Sequence, residues 1–138
     1  MAASETKVHV HLTGFGKFGG VERNVTADIV RKLSSNPRFL ERMKNAGVKF
    51  TSSPPVVVAR AEAEETVRTI TRERDKGLRH VTIHLGVHGR TRSFLLERCA
   101  WNDASFRIPD ERGDQVRHGH VVSSDAVVYR LHCVDCQP

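Results

Sequence analysis

The residues most able to do chemistry lie in three places. The first is Thr13-Gly14-Phe15-Gly16-Lys17-Phe18-Gly19-Gly20. Glycines let a backbone approach a ligand closely, and a glycine-rich strand-to-helix turn suggests phosphate binding. The segment departs from the dinucleotide fingerprint, since no acidic residue closes a second strand at the right distance. It is not a Walker loop either, because it lacks Gly-Lys-Ser/Thr. Two readings stay open at this point: a tight turn that packs two phenylalanines in a core, or a turn that meets a ligand.

The second place is the stretch from His84 to Asn102, with Gly86, Gly89, Arg90, Glu97 and Cys99. Cys99 stands two residues past Glu97, so on a strand both point the same way. A carboxylate beside a thiol raises the thiol pKa and opposes thiolate formation. Cys99 therefore reads as a small buried thiol. The third place is Cys133-x-x-Cys136, near His118, His120 and His132. Structural zinc takes four such ligands at set spacing, and a second pair is missing, so no metal and no cofactor is assigned. His9 and His11 share one strand face and read as helix-facing or surface groups rather than ligands.

Alternating strand and helix signals surround these residues. Lys7 to Thr13 alternates, with Val8, Val10 and Leu12 on one face. A helix is predicted over Asn24 to Leu33, with Ala27 and Val30 inward and Thr26 as its cap. A short helix follows at Arg38 to Asn45 and a strand at Val48 to Thr51. Val56 to Ala59 is expected as a third strand. Ala61 to Asp75 reads as a helix with an apolar face of Ala63, Val67 and Ile70, ended by Gly77. His80 to Val87 is the clearest strand, with Val81, Ile83, Leu85 and Val87 on one face. Ser93 to Ala100 fits strand or helix equally, Asn102 to Gly119 reads as a loop, and Val121 to Leu131 closes the chain, helical from Asp125. The pattern predicts an α/β fold with helices on both faces of a sheet.

Composition narrows the partners. The 138 residues suit a single domain, and 38% are hydrophobic, in separated runs. The net charge of +6 is spread among interspersed acids and bases rather than in a stripe. That pattern gives no nucleic-acid partner. No stretch has the length of a membrane span or the form of a secretory signal. Three cysteines, an odd number, fit a reducing, cytoplasmic setting with free thiols.

Three ordered blocks across about residues 8 to 125 resemble pyroglutamyl peptidase I. Thr-Gly-Phe-x-x-Phe-Gly-Gly followed by Asn24 is similar to that family's opening, although most members have proline where this chain has Val25. His84-Leu85-Gly86-Val87 with Gly89-Arg90-Thr91 is similar to its strand and glycine turn. Glu97-Arg98-x-Ala100-x-Asn102 and Phe106-Arg107-Ile108-Pro109-Asp110-Glu111-x-Gly113 match the motif and loop that follow. Ala104-Ser105-Phe106-Arg107 looks closest to plant-type members.

The resemblance implies a three-layer α/β/α sandwich and removal of N-terminal pyroglutamate from peptides. It implies catalysis by a cysteine thiolate, a histidine and an orienting glutamate. Carried over, Glu97 is the orienter, Phe15 and Phe18 wall the pyroglutamyl pocket, Asn24 lies close by, and Arg90 sits near the site. The family's nucleophile lies in a later Ser-Asn-x-Ala-Gly-x-x-x-Cys-Asn segment, and its histidine follows. Neither is matched here, and residues 127–138 no longer follow the family. The expectation is an N-terminal portion of the fold, incomplete at its C-terminus. It is either part of a thiol peptidase or an inactive homologue that at most binds pyroglutamyl ends.

Overall fold

The computed structural model describes residues 5–88, 93–97 and 104–120. Three parallel strands form one sheet in the order β2-β1-β3: β1 (Val8–Gly14), β2 (Val48–Ser52) and β3 (Arg79–Leu85). Val10 of β1 is in register with Phe50 and Val81, so the even-numbered residues of β1 and β2 share one face with the odd-numbered residues of β3. Helices α1 (Val25–Ser34) and α2 (Pro37–Asn45) lie between β1 and β2 in the chain. Both pack on that apolar face. Leu12, Ala27 and Val30 are buried there, and the rings of Phe39 and Phe50 meet edge to face at 5.0 Å.

The ends of the helices follow local chemistry. Asn24 caps α1, its Oδ1 accepting from the Thr26 amide at 3.0 Å. Thr26, the expected cap, is instead helical, and its hydroxyl accepts from the Phe15 amide at 3.0 Å. Asn24 holds the extended backbone that a capping residue needs, two residues earlier than Thr26. Asn36 and Pro37 start α2 in the same manner.

Helix α3 (Arg60–Arg72) connects β2 to β3. It begins beyond the C-terminal ends of the strands. The chain then returns to Asp75, which lies beside His9 and Lys49 on the other face, that of the odd-numbered residues of β1 and β2. The connection thus passes the sheet on the side opposite α1 and α2, as a right-handed crossover requires. That face is polar. His9 and His11 both hydrogen-bond the Thr51 hydroxyl, at 2.6 and 2.7 Å, and Thr13 pairs with His84 at 2.7 Å. His9 and Thr13 are buried.

Two expectations change. Val56 to Ala59 is not a strand. Pro54 and Pro55 carry no amide hydrogen, and only Val56 pairs, with Phe15. The segment 93–97 forms neither strand nor helix, and its side chains are exposed. The expected closing element at Val121 to Leu131 lies outside the described residues, as do the remaining residues up to Pro138. Among the described residues no helix is long and apolar enough to cross a membrane.

Candidate functional site

The turn after β1 is built around its glycines. A Cβ on Gly14 would meet the Thr26 carbonyl oxygen at 2.7 Å, so only glycine lets α1 start directly against the strand end. Phe18 and Val21 exchange two backbone hydrogen bonds, at 3.2 and 2.7 Å, around Gly19 and Gly20, whose φ angles are 48° and 82°. Both central residues of this turn are left-handed, a conformation that favours glycine. Gly16 accepts a hydrogen bond from Asn24 Nδ2 at 2.9 Å and donates its own amide to Val56 at 2.8 Å. The chain between Phe15 and Phe18 is thereby held at the C-terminal end of the central strand, where open α/β sheets place their ligands.

Phe15 and Phe18 line a cleft of about 1050 Å³. Its second wall is the first half of α3, through Ala63 and Val67. Its third is the loop 104–119, through Phe106 and Ile108. The loop is cross-linked at its base, where Ala104 and Gly119 exchange backbone hydrogen bonds at 2.7 and 3.0 Å. Gln115 Nε2 donates to the carbonyls of Phe106 and Arg107, both at 3.1 Å.

The acidic side chains at the cleft are already matched. Glu64 pairs with Arg60 at 3.1 Å and with Arg68 at 3.6 Å. Glu111 accepts the Gly19 amide at 2.9 Å. The Arg60 amide, with others from Arg112 to Asp114, holds the Asp110 carboxyl below its usual pKa. Besides Arg107, the walls present apolar and aromatic surface, suited to a flat, uncharged group. Among the described residues, none that lines the cleft is a cysteine or histidine, and no cluster of His, Cys, Asp or Glu could hold a metal.

The predicted site residues thus separate. Phe15 and Phe18 come together in the cleft. Asn24 stands behind them, buried, its side chain spent on Thr26 and Gly16. Glu97 is exposed and does not line the cleft. Arg90 lies outside the described residues, as does Cys99. Sequence reasoning missed the wall formed by the loop 104–119. Its signal was present in Pro109-Asp110 and Gly113, a turn with an acid able to accept amides.

A relative in Coprothermobacter proteolyticus, a pyrrolidone-carboxylate peptidase, is 29% identical over 118 residues, 86% of this chain and 52% of its own length. A solved structure, the pyrrolidone carboxyl peptidase of the thermophilic keratin-degrading bacterium Fervidobacterium islandicum AW-1, superposes with a TM-score of 0.69. In sequence and in fold this chain is similar to pyroglutamyl peptidase I. The superposition is at 24% identity and covers 84% of this chain and 50% of the bacterial one. The chain therefore spans about half the length of the proteins it matches. No protein-family model matches it. The shared fold is α/β with a parallel sheet, as the alternating pattern predicts.

Proposed function

We propose that these residues form the pyroglutamyl-binding part of a cytoplasmic thiol peptidase that removes N-terminal pyroglutamate from peptides. The observation that carries this reading is the position of Phe15 and Phe18. Both rings line an apolar cleft at the end of the central parallel strand, in a fold similar to that of a pyrrolidone carboxyl peptidase. A lactam ring is flat and uncharged and gains from aromatic walls what it would lose to a charged pocket.

In the proposed reaction a cysteine thiolate attacks the pyroglutamyl carbonyl. The amine leaves with a proton from histidine, and water then releases pyroglutamate from the thioester. Glu97 would orient that histidine, as the third member of such an arrangement does. Arg90 would sit near the same site. The nucleophile segment Ser-Asn-x-Ala-Gly-x-x-x-Cys-Asn does not occur in the 138 residues. By themselves they are expected to bind pyroglutamyl ends without cleaving them.

The test is calorimetric titration of the purified chain with a pyroglutamyl amide and with the matching prolyl amide, which lacks the ring carbonyl. Binding of the first alone, lost in Phe15→Ala and Phe18→Ala, is expected. Equal binding of both amides, or of neither, rejects the pyroglutamyl pocket. Thiol-dependent release of a fluorescent amine that disappears in Cys99→Ser or Cys133→Ser would show that the nucleophile is in this chain after all.

A further inference from the structure

Helix α3 starts at a residue that cannot cap it. Ala59 occupies the capping position, with the extended backbone of a capping residue (φ −144°, ψ 149°), and makes no side-chain cap hydrogen bond. The first amides of a helix have no partner within the helix and need acceptors from elsewhere. Here the acceptor comes from 50 residues away: Asp110 Oδ2 accepts the Arg60 amide at 3.0 Å. The other oxygen of the same carboxylate accepts the amides of Arg112 and Asp114, both at 2.9 Å. One side chain therefore closes the tip of the loop 104–119 and ties that tip to α3. A negative group also suits the positive end of a helix.

The residues beside Asp110 extend the tie. Glu111 donates its amide to the Val58 carbonyl at 3.1 Å, and its carboxylate accepts the Gly19 amide at 2.9 Å. Arg112 pairs with Glu62 of α3. The loop tip is thus bonded to the start of α3, to the segment before it, and to the turn that carries Phe18. Its apolar wall meets that turn closely, since a Cβ on Gly19 would lie 3.3 Å from Ile108 Cδ1.

We propose that Asp110 is a positioning residue for the cleft. By capping α3 from the loop, it sets the distance between the Phe106–Ile108 wall and the Phe15–Phe18 wall, and so sets affinity for the ligand. The inference rests on the reading that the cleft takes a pyroglutamyl end. It separates two jobs that one carboxylate performs, stabilising a helix end and holding a wall.

The two jobs can be pulled apart. Ala59→Ser supplies a local cap for α3 without restoring the loop tie. The wild-type chain, Asp110→Ala, Ala59→Ser and the double variant are compared in three measurements. These are titration with a pyroglutamyl amide, thermal unfolding, and hydrogen exchange at the amides of Arg60, Arg112 and Asp114. Asp110→Ala is expected to weaken binding about tenfold and to speed exchange at all three amides. In the double variant the unfolding midpoint and the protection of Arg60 should recover. Affinity and the protection of Arg112 and Asp114 should not.

Recovery of affinity in the double variant would reduce Asp110 to a helix cap and overturn the proposal. Unchanged affinity and exchange in Asp110→Ala would do the same. If the wild-type chain fails to bind the amide, the ligand reading falls. The exchange comparison still decides the positioning role, and equal rates at Arg112 and Asp114 in wild type and Asp110→Ala end it. Should Asp110→Ala not fold, Asp110→Asn keeps one acceptor oxygen and carries the same comparison, with a smaller loss expected.

Discussion

The loop 104–119 and the segment 93–97 look alike in sequence terms, since neither forms a helix or strand and both carry motifs similar to those of pyroglutamyl peptidase I. Their physical states differ. The loop is stitched by its base pairing, by Gln115 and by the Asp110 carboxylate, and it forms a cleft wall. In the segment 93–97, Phe94 is 98% exposed, Leu95 and Leu96 are mostly exposed, and Glu97 is exposed beside them. Three apolar side chains in water next to the proposed orienting carboxylate mean that its surroundings are not formed by the described residues. A motif becomes a site only where other elements supply its hydrogen bonds and its burial. The first-strand turn and the loop have that support, whereas Phe94 to Glu97 stay exposed.

If bonded surroundings make the difference, substitutions in the stitched region should cost far more than those at 93–97. The largest effect is expected for Gly14→Val. Its Cβ would meet the Thr26 carbonyl oxygen at 2.7 Å and carbon at 2.9 Å, both backbone atoms that cannot swing away. A loss of about 3 kcal/mol is expected in urea unfolding. Stability close to wild type would show that α1 can move off the strand end.

Asn24→Ala comes next. It removes the α1 cap and the hydrogen bond to Gly16 while exposing no new charge. A loss of about 2 kcal/mol is expected, together with weaker binding at the cleft, since Gly16 lies between Phe15 and Phe18. Loss of stability with ligand affinity intact would place Asn24 outside the support of the cleft.

Acid should act on the opposite side of the sheet from α1 and α2. Burial lowers the pKa of His9 and His11 from the ordinary 6.5. Lys49 and His80 add to this at His9, and His9 and His84 at His11, while Asp75 and Glu73 oppose it. The unfolded chain therefore takes up these protons more readily than the folded one. The associated stability is present above pH 6.5 and is lost as pH falls below it. The urea midpoint should drop between about pH 7.5 and about pH 5.5, and the drop should shrink in His9→Gln. A flat midpoint over that range would contradict the lowered values.

The smallest effect is expected for Glu97→Gln, a change within about 0.5 kcal/mol, because the side chain is exposed. Phe94→Ser should be equally mild. In a longer protein that also carries the Cys and His, Glu97→Gln should instead lower kcat with the fold intact. Unchanged turnover there would remove Glu97 from the proposed chemistry.

Much of the fold was legible in order along the chain. The alternation of Val8, Val10 and Leu12 against His9 and His11 marks a strand with one apolar and one polar face. That is the face division the sheet shows, because strand periodicity is a local property. The run Ala61 to Asp75 reads as a helix from its composition, and the helix forms over Arg60–Arg72. The choice between Asn24 and Thr26 as the cap was not legible, since both types cap helices and backbone conformation decides. Nor was the failure of Val56 to Ala59 as a strand, since strand formation needs a partner edge as well as β-branched residues.

The sequence alone also determined that Phe15 and Phe18 sit on a glycine-flanked turn after the first strand, because glycine placement and strand pattern are set by adjacent residues. Only the tertiary structure decided what faces them. The Phe106–Ile108 wall against Phe15 and Phe18 and the Asp110 tie to α3 join positions far apart in the chain. Those contacts follow from where the parallel strands carry the connecting segments. No periodicity in a single stretch encodes a carboxylate that caps a helix 50 residues away.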